Sequence, residues 1–412
     1  MKKLISIVIT TSIILSFILS FGVIFFNTYY LSNQYKTYPI SDGLVYSFNK
    51  EKINLDLTKN KEDLIKQANT LINNGNYFEA KELLQGSIFT NDIQVLSLLN
   101  LINLKQTQGN MVPYLGEVNI LEFNPIISFP EILKKNSSHS TQMDENQITI
   151  DEFERILLSL YNNNYVLVNI KSFTNNPILP RGKKPIVLLL NSSEYSTKLG
   201  NVDKLMLDDN NTLVTYTPKR SINDRLHHSN DFITALSKFV DNHPTFSHNN
   251  AKGLICVDGS HGILGYKTQK TNANSKFQIK KCTELTTILK DSGWQFASKG
   301  YKYGINESDI NFSSGLSHWK ETVEPILGNT SIYYGSFDLN TNDYKLSLFD
   351  TYNYNVFISN TALTPHNTGK TFYFTTKISG KSLRENGDEL SKYFDCEKVY
   401  DHLNRNTTFC SV

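Results

Sequence analysis

The chain has 412 residues, which is enough for one large domain of about 200 to 300 residues with a further segment, or for two smaller domains. Its 41 Lys and Arg residues nearly balance 39 Asp and Glu residues, so the formal net charge is +2. A nucleic-acid-binding domain usually carries a clustered basic excess, and this composition argues against that class of partner.

The N-terminal segment is apolar. Residues 4–26 contain no charged residue over 23 positions, and a helix of that length crosses a bilayer. Lys2 and Lys3 precede it, so the positive-inside rule places the N-terminus in the cytoplasm. We interpret residues 1–29 as a cytoplasmic tip and an uncleaved signal anchor of a single-pass cell-membrane protein with an extracytoplasmic C-terminal domain. A cleaved signal peptide is the alternative.

A short helical region follows a polar linker. Residues 30–60 are polar and predict the linker. Residues 61–85 predict two helices whose pattern resembles a tetratricopeptide-type hairpin, and Asp92 is expected to cap a third helix. These elements are too few for a peptide-binding array. Residues 61–110 are therefore predicted to be a spacer, and 61–105 a candidate surface for a protein partner.

From Met111 to the C-terminus, predicted strands and helices alternate. This alternation predicts an α/β domain over residues 111–412 with a parallel sheet, either open or closed into a barrel. The predicted strands are 118–123, 165–170, 186–190, 253–257, 295–298, 331–335 and 355–360, and the predicted helices are 150–162, 230–242, 276–292, 316–326 and 344–352.

The central stretch of this domain is residues 184–195, KPIVLLLNSSEY. Its continuous apolar run suits a strand that is buried on both faces. Ligands of such folds gather at the carboxyl ends of the strands. The polar residues at this end include Asn191, Ser192 and Glu194, which is a poor set for metal-dependent hydrolysis.

Six segments of the chain, in order, resemble the polysaccharide deacetylases of carbohydrate esterase family 4. Each match is weak alone, but their order and spacing are specific, and together they extend over residues 112–401. The resemblance implies a distorted (β/α) barrel. The segments are 149–170, 183–195, 251–269, 292–304, 317–337 and 375–395.

The resemblance also shows which residues stand at the family's functional positions. In the family, one Asp and two His bind a divalent metal such as zinc, and a second Asp acts as general base. The base position matches Asn191, the metal Asp matches Ser192, and the two His match Lys299 and Tyr303. The charge of Lys299 opposes entry of a cation. The resemblance therefore implies no catalytic residue, no metal and no cofactor at these positions.

This pattern favours a catalytically inactive protein that binds or positions a cell-envelope glycan. Two alternatives stay open: an active carbohydrate N- or O-deacetylase with a rebuilt site that combines Glu194 with His261 or His366, and a structural envelope scaffold. Inactivity requires that no three acidic or imidazole side chains converge along the rim of the sheet. The candidate cleft residues are Asn191, Ser192, Glu194, Tyr195, Lys299, Tyr301, Tyr303 and Tyr334.

The four cysteines all lie in the part predicted to be exported, where disulfides form. Four cysteines allow three pairings. Cys396 and Cys410 flank a short final segment and are the predicted pair, with unpaired thiols as the alternative. No Cys-x-x-Cys spacing indicates zinc.

Overall fold

A computed structural model describes residues 57–405 except 74–76, 108–110, 117, 133–146, 176, 196, 198–199, 219, 222–224, 270, 272, 303, 305–306, 336–342, 360–365, 368–371, 376–382 and 384–386. The predicted anchor, most of the linker, Tyr303 and Cys410 lie outside the described residues. None of the described helices is long and apolar enough to cross a membrane.

The helices and strands of the described residues alternate after an initial group of three helices. The helices are α1 Leu57–Asn73, α2 Tyr77–Gln85, α3 Ile93–Thr107, α4 Ile150–Asn162, α5 Phe232–Asn242, α6 Ser275–Asp291, α7 Asp309–Thr322, α8 Glu324–Leu327, α9 Asp343–Thr351, α10 Gly387–Leu390 and α11 Cys396–Val399. The strands are β1 Met111–Pro113, β2 Asn119–Phe123, β3 Tyr165–Leu167, β4 Ile178–Pro180, β5 Lys184–Leu190, β6 Lys204–Leu207, β7 Leu213–Tyr216, β8 Leu226–His227, β9 Leu254–Val257, β10 Gln295–Ser298, β11 Ile332–Tyr334, β12 Val356–Ser359, β13 His366–Asn367 and β14 Phe372–Thr375.

The main sheet has the order β13-β14-β12-β11-β10-β9-β5-β2, and β3 also pairs with β5. Every pair in it is parallel except β13 with β14. The predicted α/β class with a parallel sheet is therefore confirmed. No pairing among the described strands joins β2 to β13, so the described sheet is open.

Strand β5 is buried on both faces, although it stands next to the β2 end of the sheet and not at its centre. From Pro185 to Leu190 every residue is buried, and the strand pairs with β2, β3 and β9. Successive side chains of a strand point to opposite faces. Accordingly, Ile186, Leu188 and Leu190 belong to the larger hydrophobic cluster, whereas Val187 and Leu189 belong to a second cluster. The polar residues after Leu190 emerge at the carboxyl edge.

Helix α4 covers the larger cluster and begins at a capping box. Thr149 accepts a hydrogen bond from the Glu152 N–H, and the Glu152 carboxylate accepts one from the Thr149 N–H. These bonds satisfy two backbone donors at the helix start. Phe153, Ile156, Leu157 and Leu160 are fully buried, as the helical spacing of these residues in the sequence predicts.

Most predicted elements lie where the sequence places them, but several regions differ. The predicted strand 165–170 ends at Leu167, and a 3-10 helix begins at Ile170. The predicted helix 316–326 begins at Asp309, where Ser308 accepts a hydrogen bond from the Asn311 N–H, and it divides at Val323 before Pro325. The antiparallel sheets β6-β7-β8 and β1-β4 have no counterpart in the prediction, and neither do the strands β13 and β14.

Two helices, α1 and α2, lie where the sequence predicts a helical hairpin over residues 61–85. The Gln94 N–H donates to Asp92 Oδ1, so Asp92 begins the third helix as expected. Ala68, Ile72, Ala80, Leu84, Val95 and Ile102 form a small core of their own, and α2 contacts the 3-10 helix Pro244–Phe246. The described residues from 58 to 405 belong to one compact unit. The tetratricopeptide likeness and the boundary at residue 110 stay predictions.

A buried ion pair fastens the C-terminal segment to α4. Arg405 and Glu152 are 2% and 0% exposed, and two guanidinium nitrogens donate to the two carboxylate oxygens. Glu152 also accepts from the Asp401 N–H at 2.8 Å. A carboxylate buried this deeply requires such donors, because water does not reach it.

We expect Arg405→Met to lower the free energy of unfolding by about 3–5 kcal/mol, because it leaves the Glu152 charge buried and unpaired. Urea denaturation measures this loss. The double variant Glu152→Gln/Arg405→Met should recover a large part of it, whereas Lys398→Met, which removes the exposed Lys398–Asp395 pair, should leave the midpoint unchanged. A midpoint for Arg405→Met equal to that of Lys398→Met would show that the buried Arg405–Glu152 ion pair does not stabilise the fold.

Three cysteines, Cys256, Cys282 and Cys396, are buried, and no disulfide joins any two of them. Burial raises the pKa of Cys282 to about 12 and that of Cys396 to about 11, and it raises the pKa of Cys256 well above its usual range. The thiolate is the reactive form. Because Cys410 lies outside the described residues, its pairing with Cys396 stays a prediction.

We expect Cys256 and Cys282 of the native protein to resist iodoacetamide at about pH 8, since an ordinary thiol with a pKa of about 8.5 ionises far more readily there. Both should react after denaturation. Peptide mass spectrometry measures the labelling, and the same map without reductant reveals any linked Cys396–Cys410 peptide. Fast native labelling of Cys282 would contradict its burial.

Candidate functional site

The carboxyl ends of neighbouring parallel strands meet at one edge of the main sheet, where ligands of α/β folds bind. At this edge β2 is followed by Asn124, β5 by Asn191, β9 by Asp258 and β10 by Lys299. The sequence predicts two of these four residues, Asn191 and Lys299, as parts of a cleft. The structure brings them into direct contact.

A polar network surrounds the buried carboxylate of Glu122. This side chain is 4% exposed, and its Oε1 accepts from Asn191 Nδ2 at 2.8 Å and from the Tyr334 hydroxyl at 2.6 Å. Asn191 Nδ2 also lies 2.6 Å from Asn124 Oδ1. A carboxylate removed from water needs such donors. Glu122 is absent from the predicted site, although it is the one charged residue in the predicted strand 118–123.

The Lys299 ammonium is tied to the same network. Its Nζ donates to the Asn191 carbonyl oxygen at 2.9 Å and lies 5.6 Å from the centre of the Tyr334 ring. The positive charge of Lys299 and the negative charge of Glu122 both act on the Cys256 thiol, whose pKa is raised mainly by burial. Asn191 therefore links an ammonium to a carboxylate by two hydrogen bonds.

These residues do not fit the divalent metal that the family resemblance implies. The Asn191 amide donates to Glu122 and Asn124, and Ser192 Oγ accepts from the Glu194 N–H at 3.1 Å. The Lys299 ammonium repels a cation that approaches Asn191.

Two predicted cleft residues use their hydroxyls inside the protein. The Tyr195 hydroxyl donates to Asp231 Oδ2 at 2.7 Å, at the N-cap of α5. Burial, with the Asp231 charge, raises the pKa of Tyr195 well above its usual range. Tyr334 is 4% exposed. Tyr334 therefore differs from the prediction, because it is a core residue that holds Glu122 and does not line an open cleft.

A second group of polar side chains converges at the rim, and we call Glu194, Asp258 and His261 the rim cluster. One ligand atom from each side chain lies within 4.8 Å of the other two, and His261 Nδ1 lies 3.2 Å from Glu194 Oε1. The condition for inactivity, that no three such side chains converge along the rim, is not met, so the prediction of inactivity no longer extends to the rim cluster and is kept only for residues 191, 192, 299 and 303.

The sequence indicates only part of the rim cluster. It names Glu194 and His261 as a rebuilt pair, but it offers no reason to join them. Asp258 is absent from the prediction, although it is the first residue after a buried strand and so occupies the usual position of a functional side chain. The side chain of His366 is not among those that the structure describes.

Aromatic side chains connect the rim to the outer helices. The Tyr301 and His318 rings pack edge to face, with centres 4.3 Å apart. Burial, with the nearby charge of Asp258, raises the pKa of Tyr301. A cavity of about 560 Å³ lies beside His318, on α7 and α9, and its lining includes Ser313, Ser317, His318, Glu321, Tyr344 and Tyr352.

Comparisons with known proteins give structural matches only. No family model and no curated protein matches the sequence. The fold is similar to the Streptococcus pyogenes deacetylase PplD (13% identity, TM-score 0.36, 66% of this chain and 97% of that one) and to BC0361, a polysaccharide deacetylase from Bacillus cereus (11%, 0.38, 68% and 69%). It is also similar to a de-N-acetylase from Aggregatibacter actinomycetemcomitans (10%, 0.41, 67% and 99%). The likeness to these proteins concerns the fold alone.

We expect Tyr334→Phe to destabilise the fold by about 1–3 kcal/mol, because it removes a donor from the buried Glu122 carboxylate. Chemical denaturation measures the change. Tyr301→Phe removes the same hydroxyl from a partly exposed ring and is the matched control. Equal midpoints for the two variants would show that the Glu122 network does not need the Tyr334 hydroxyl.

Proposed function

We propose that the chain is a membrane-anchored extracytoplasmic protein with a deacetylase-like, distorted (β/α) barrel domain that binds a cell-envelope glycan and has no hydrolytic activity at residues 191, 192, 299 and 303. One observation carries the proposal: the Lys299 ammonium donates to the Asn191 carbonyl where the family resemblance implies a metal ion. An ammonium of that kind cannot activate water as a bound metal does.

The surface beside Lys299 suits a sugar polymer. Tyr301 and His318 offer rings, and the cavity on α7 and α9 adds Tyr344, Tyr352 and the Ser313 hydroxyl. Rings cover the apolar faces of sugars, whereas hydroxyls and carboxylates bind sugar hydroxyl groups. The proposed glycan therefore extends from the rim across Tyr301 to this cavity.

Lys299 adds a charge that favours acidic envelope polymers. An ammonium has three N–H donors, and the described contacts use one of them, on the Asn191 carbonyl. The side chain is partly exposed. A carboxylate or phosphate group of the polymer is the ligand that the remaining donors favour.

A second function, that of a metal-dependent carbohydrate deacetylase, is favoured by the rim cluster. Its three side chains are of the types that bind catalytic metals, and they follow the carboxyl ends of β5 and β9. The metal, if bound there, would lie at the rim and not at Asn191 and Lys299. Acetate release decides between the two functions.

The helical segment is proposed as a contact surface for another protein. Ile88, Ile93 and Leu96 are 75%, 79% and 44% exposed, and all lie within residues 61–105. Exposed apolar residues are common in protein interfaces. This surface would hold the domain at its place in the envelope without contributing to glycan binding.

Binding and acetate release by the purified full-length protein test the proposed function. We expect N-acetylated chito-oligosaccharides to bind in calorimetry with no acetate released, with or without Zn²⁺. Tyr301→Ala and Tyr344→Ala should weaken binding by about 2- to 10-fold, as the loss of one ring contact predicts. Phe277→Ala, which removes an exposed ring outside the proposed surface, is the control.

Each contrary outcome has a distinct meaning. Acetate release that depends on Zn²⁺ and is lost in Asp258→Asn would replace the proposed function by the deacetylase function. Absence of binding, or equal weakening by Phe277→Ala and Tyr301→Ala, would contradict the proposed glycan surface.

A further inference from the structure

The rim cluster places three potential metal ligands from two loops next to each other. Glu194 follows β5, whereas Asp258 and His261 follow β9. All three ligand atoms lie within 4.8 Å of one another. Zinc binds nitrogen and oxygen at about 2.0–2.2 Å, so two ligand atoms of one zinc ion lie about 3–3.5 Å apart. Small side-chain rotations therefore bring the cluster to coordinating distances.

Backbone donors hold Asp258 in position. Its Oδ1 accepts from the Ser260 N–H at 2.7 Å, and its Oδ2 accepts from the Lys302 N–H at 3.1 Å. Lys302 has a φ of +66°, a conformation that costs energy in a residue with a Cβ. Each carboxylate oxygen keeps a further lone pair for a metal. The carboxylate is thus oriented before any metal arrives.

A tight turn fixes the spacing between Asp258 and His261. Gly259 and Gly262 have φ values of +84° and +111° and face each other in an antiparallel bridge. A Cβ on Gly259 would lie 2.3 Å from Val323 Cγ2. The turn therefore packs closely on Val323, the residue directly after α7. The imidazole of His261 is therefore held on a short, constrained loop.

The interactions among these three side chains contribute little to the stability of the fold. The Glu194 and His261 side chains are 38% and 76% exposed. Ion pairs this exposed contribute little to stability because water screens them. Their convergence with Asp258, which the Ser260 and Lys302 amides orient, is the arrangement that a bound cation would use.

We propose that Glu194, Asp258 and His261 bind one divalent transition-metal ion of the Zn²⁺ type. Two carboxylates and one imidazole suit Zn²⁺ and similar ions, whereas Ca²⁺ and Mg²⁺ prefer oxygen ligands alone. Three protein ligands leave at least one coordination position open. The exposure of His261 places that position in solvent, where a water molecule or a ligand oxygen binds.

The proposal of this metal site does not rest on the proposed glycan binding, although Glu194 is also a candidate cleft residue. It involves none of the residues that match the family's metal set, namely Ser192, Lys299 and Tyr303. Metal bound without acetate release would support both the site and the proposed function. Metal bound with acetate release would support the site and overturn the proposed inactivity.

Equilibrium dialysis of the tag-free full-length protein against Zn²⁺ tests the site, and Co²⁺ provides a visible spectrum that reports the ligand field. We expect about one ion per chain. Glu194→Gln, Asp258→Asn and His261→Ala should each weaken binding by at least about 10-fold, because even the loss of an outer hydrogen-bond partner of a metal ligand has that effect. Asp209→Asn and His228→Ala, which alter exposed residues outside the cluster, should bind like the wild type.

The control variants and a folding check distinguish a loss of metal binding from unfolding. Circular dichroism confirms that each variant is folded, so a loss of affinity reports ligation. Less than about one tenth of an ion per chain, or unchanged affinity in all three cluster variants, would overturn the proposal. Equal losses in Asp209→Asn or His228→Ala would show that the metal binds the surface at large.

Discussion

The buried carboxylate of Glu122 is the constraint on which the carboxyl edge of the sheet depends. A charge at 4% exposure is tolerated only when donors replace the lost water, and Asn191 and Tyr334 supply them at 2.8 and 2.6 Å. Asn191 in turn offers its carbonyl to Lys299. At the edge where this fold class binds ligands, this protein therefore has a buried carboxylate, an amide and a partly exposed ammonium.

The rim cluster lies outside that network. Glu194, Asp258 and His261 stand on loops after β5 and β9, and their polar atoms reach solvent. The same two strands thus support two groups of different character: an internal one, whose hydrogen bonds stabilise the sheet edge, and an exposed one, whose atoms suit a cation. Any metal binding or catalysis at this edge would therefore involve the rim cluster.

The spacing of apolar residues and the helix-capping residues predict most helices and strands, because both signals come from residues that are close together in the sequence. The helix 150–162, the strand 295–298 and the central run 186–190 all follow from the spacing of apolar residues. The β6-β7-β8 sheet and the early start of α7 were not predicted, since short mixed strands and a Ser308 cap give weak signals. The site was harder to predict. Asn191 and Lys299 follow from a family resemblance, but they meet only through contacts 108 positions apart, and Asp258 joins Glu194 and His261 only through the packing of two loops.

Anomalous diffraction from crystals grown with Zn²⁺ tests the central claim most directly. The account predicts a zinc peak among Glu194, Asp258 and His261, with the Lys299 ammonium hydrogen-bonded to the Asn191 carbonyl. A zinc peak beside Asn191 and Ser192, with Lys299 turned away, would contradict it.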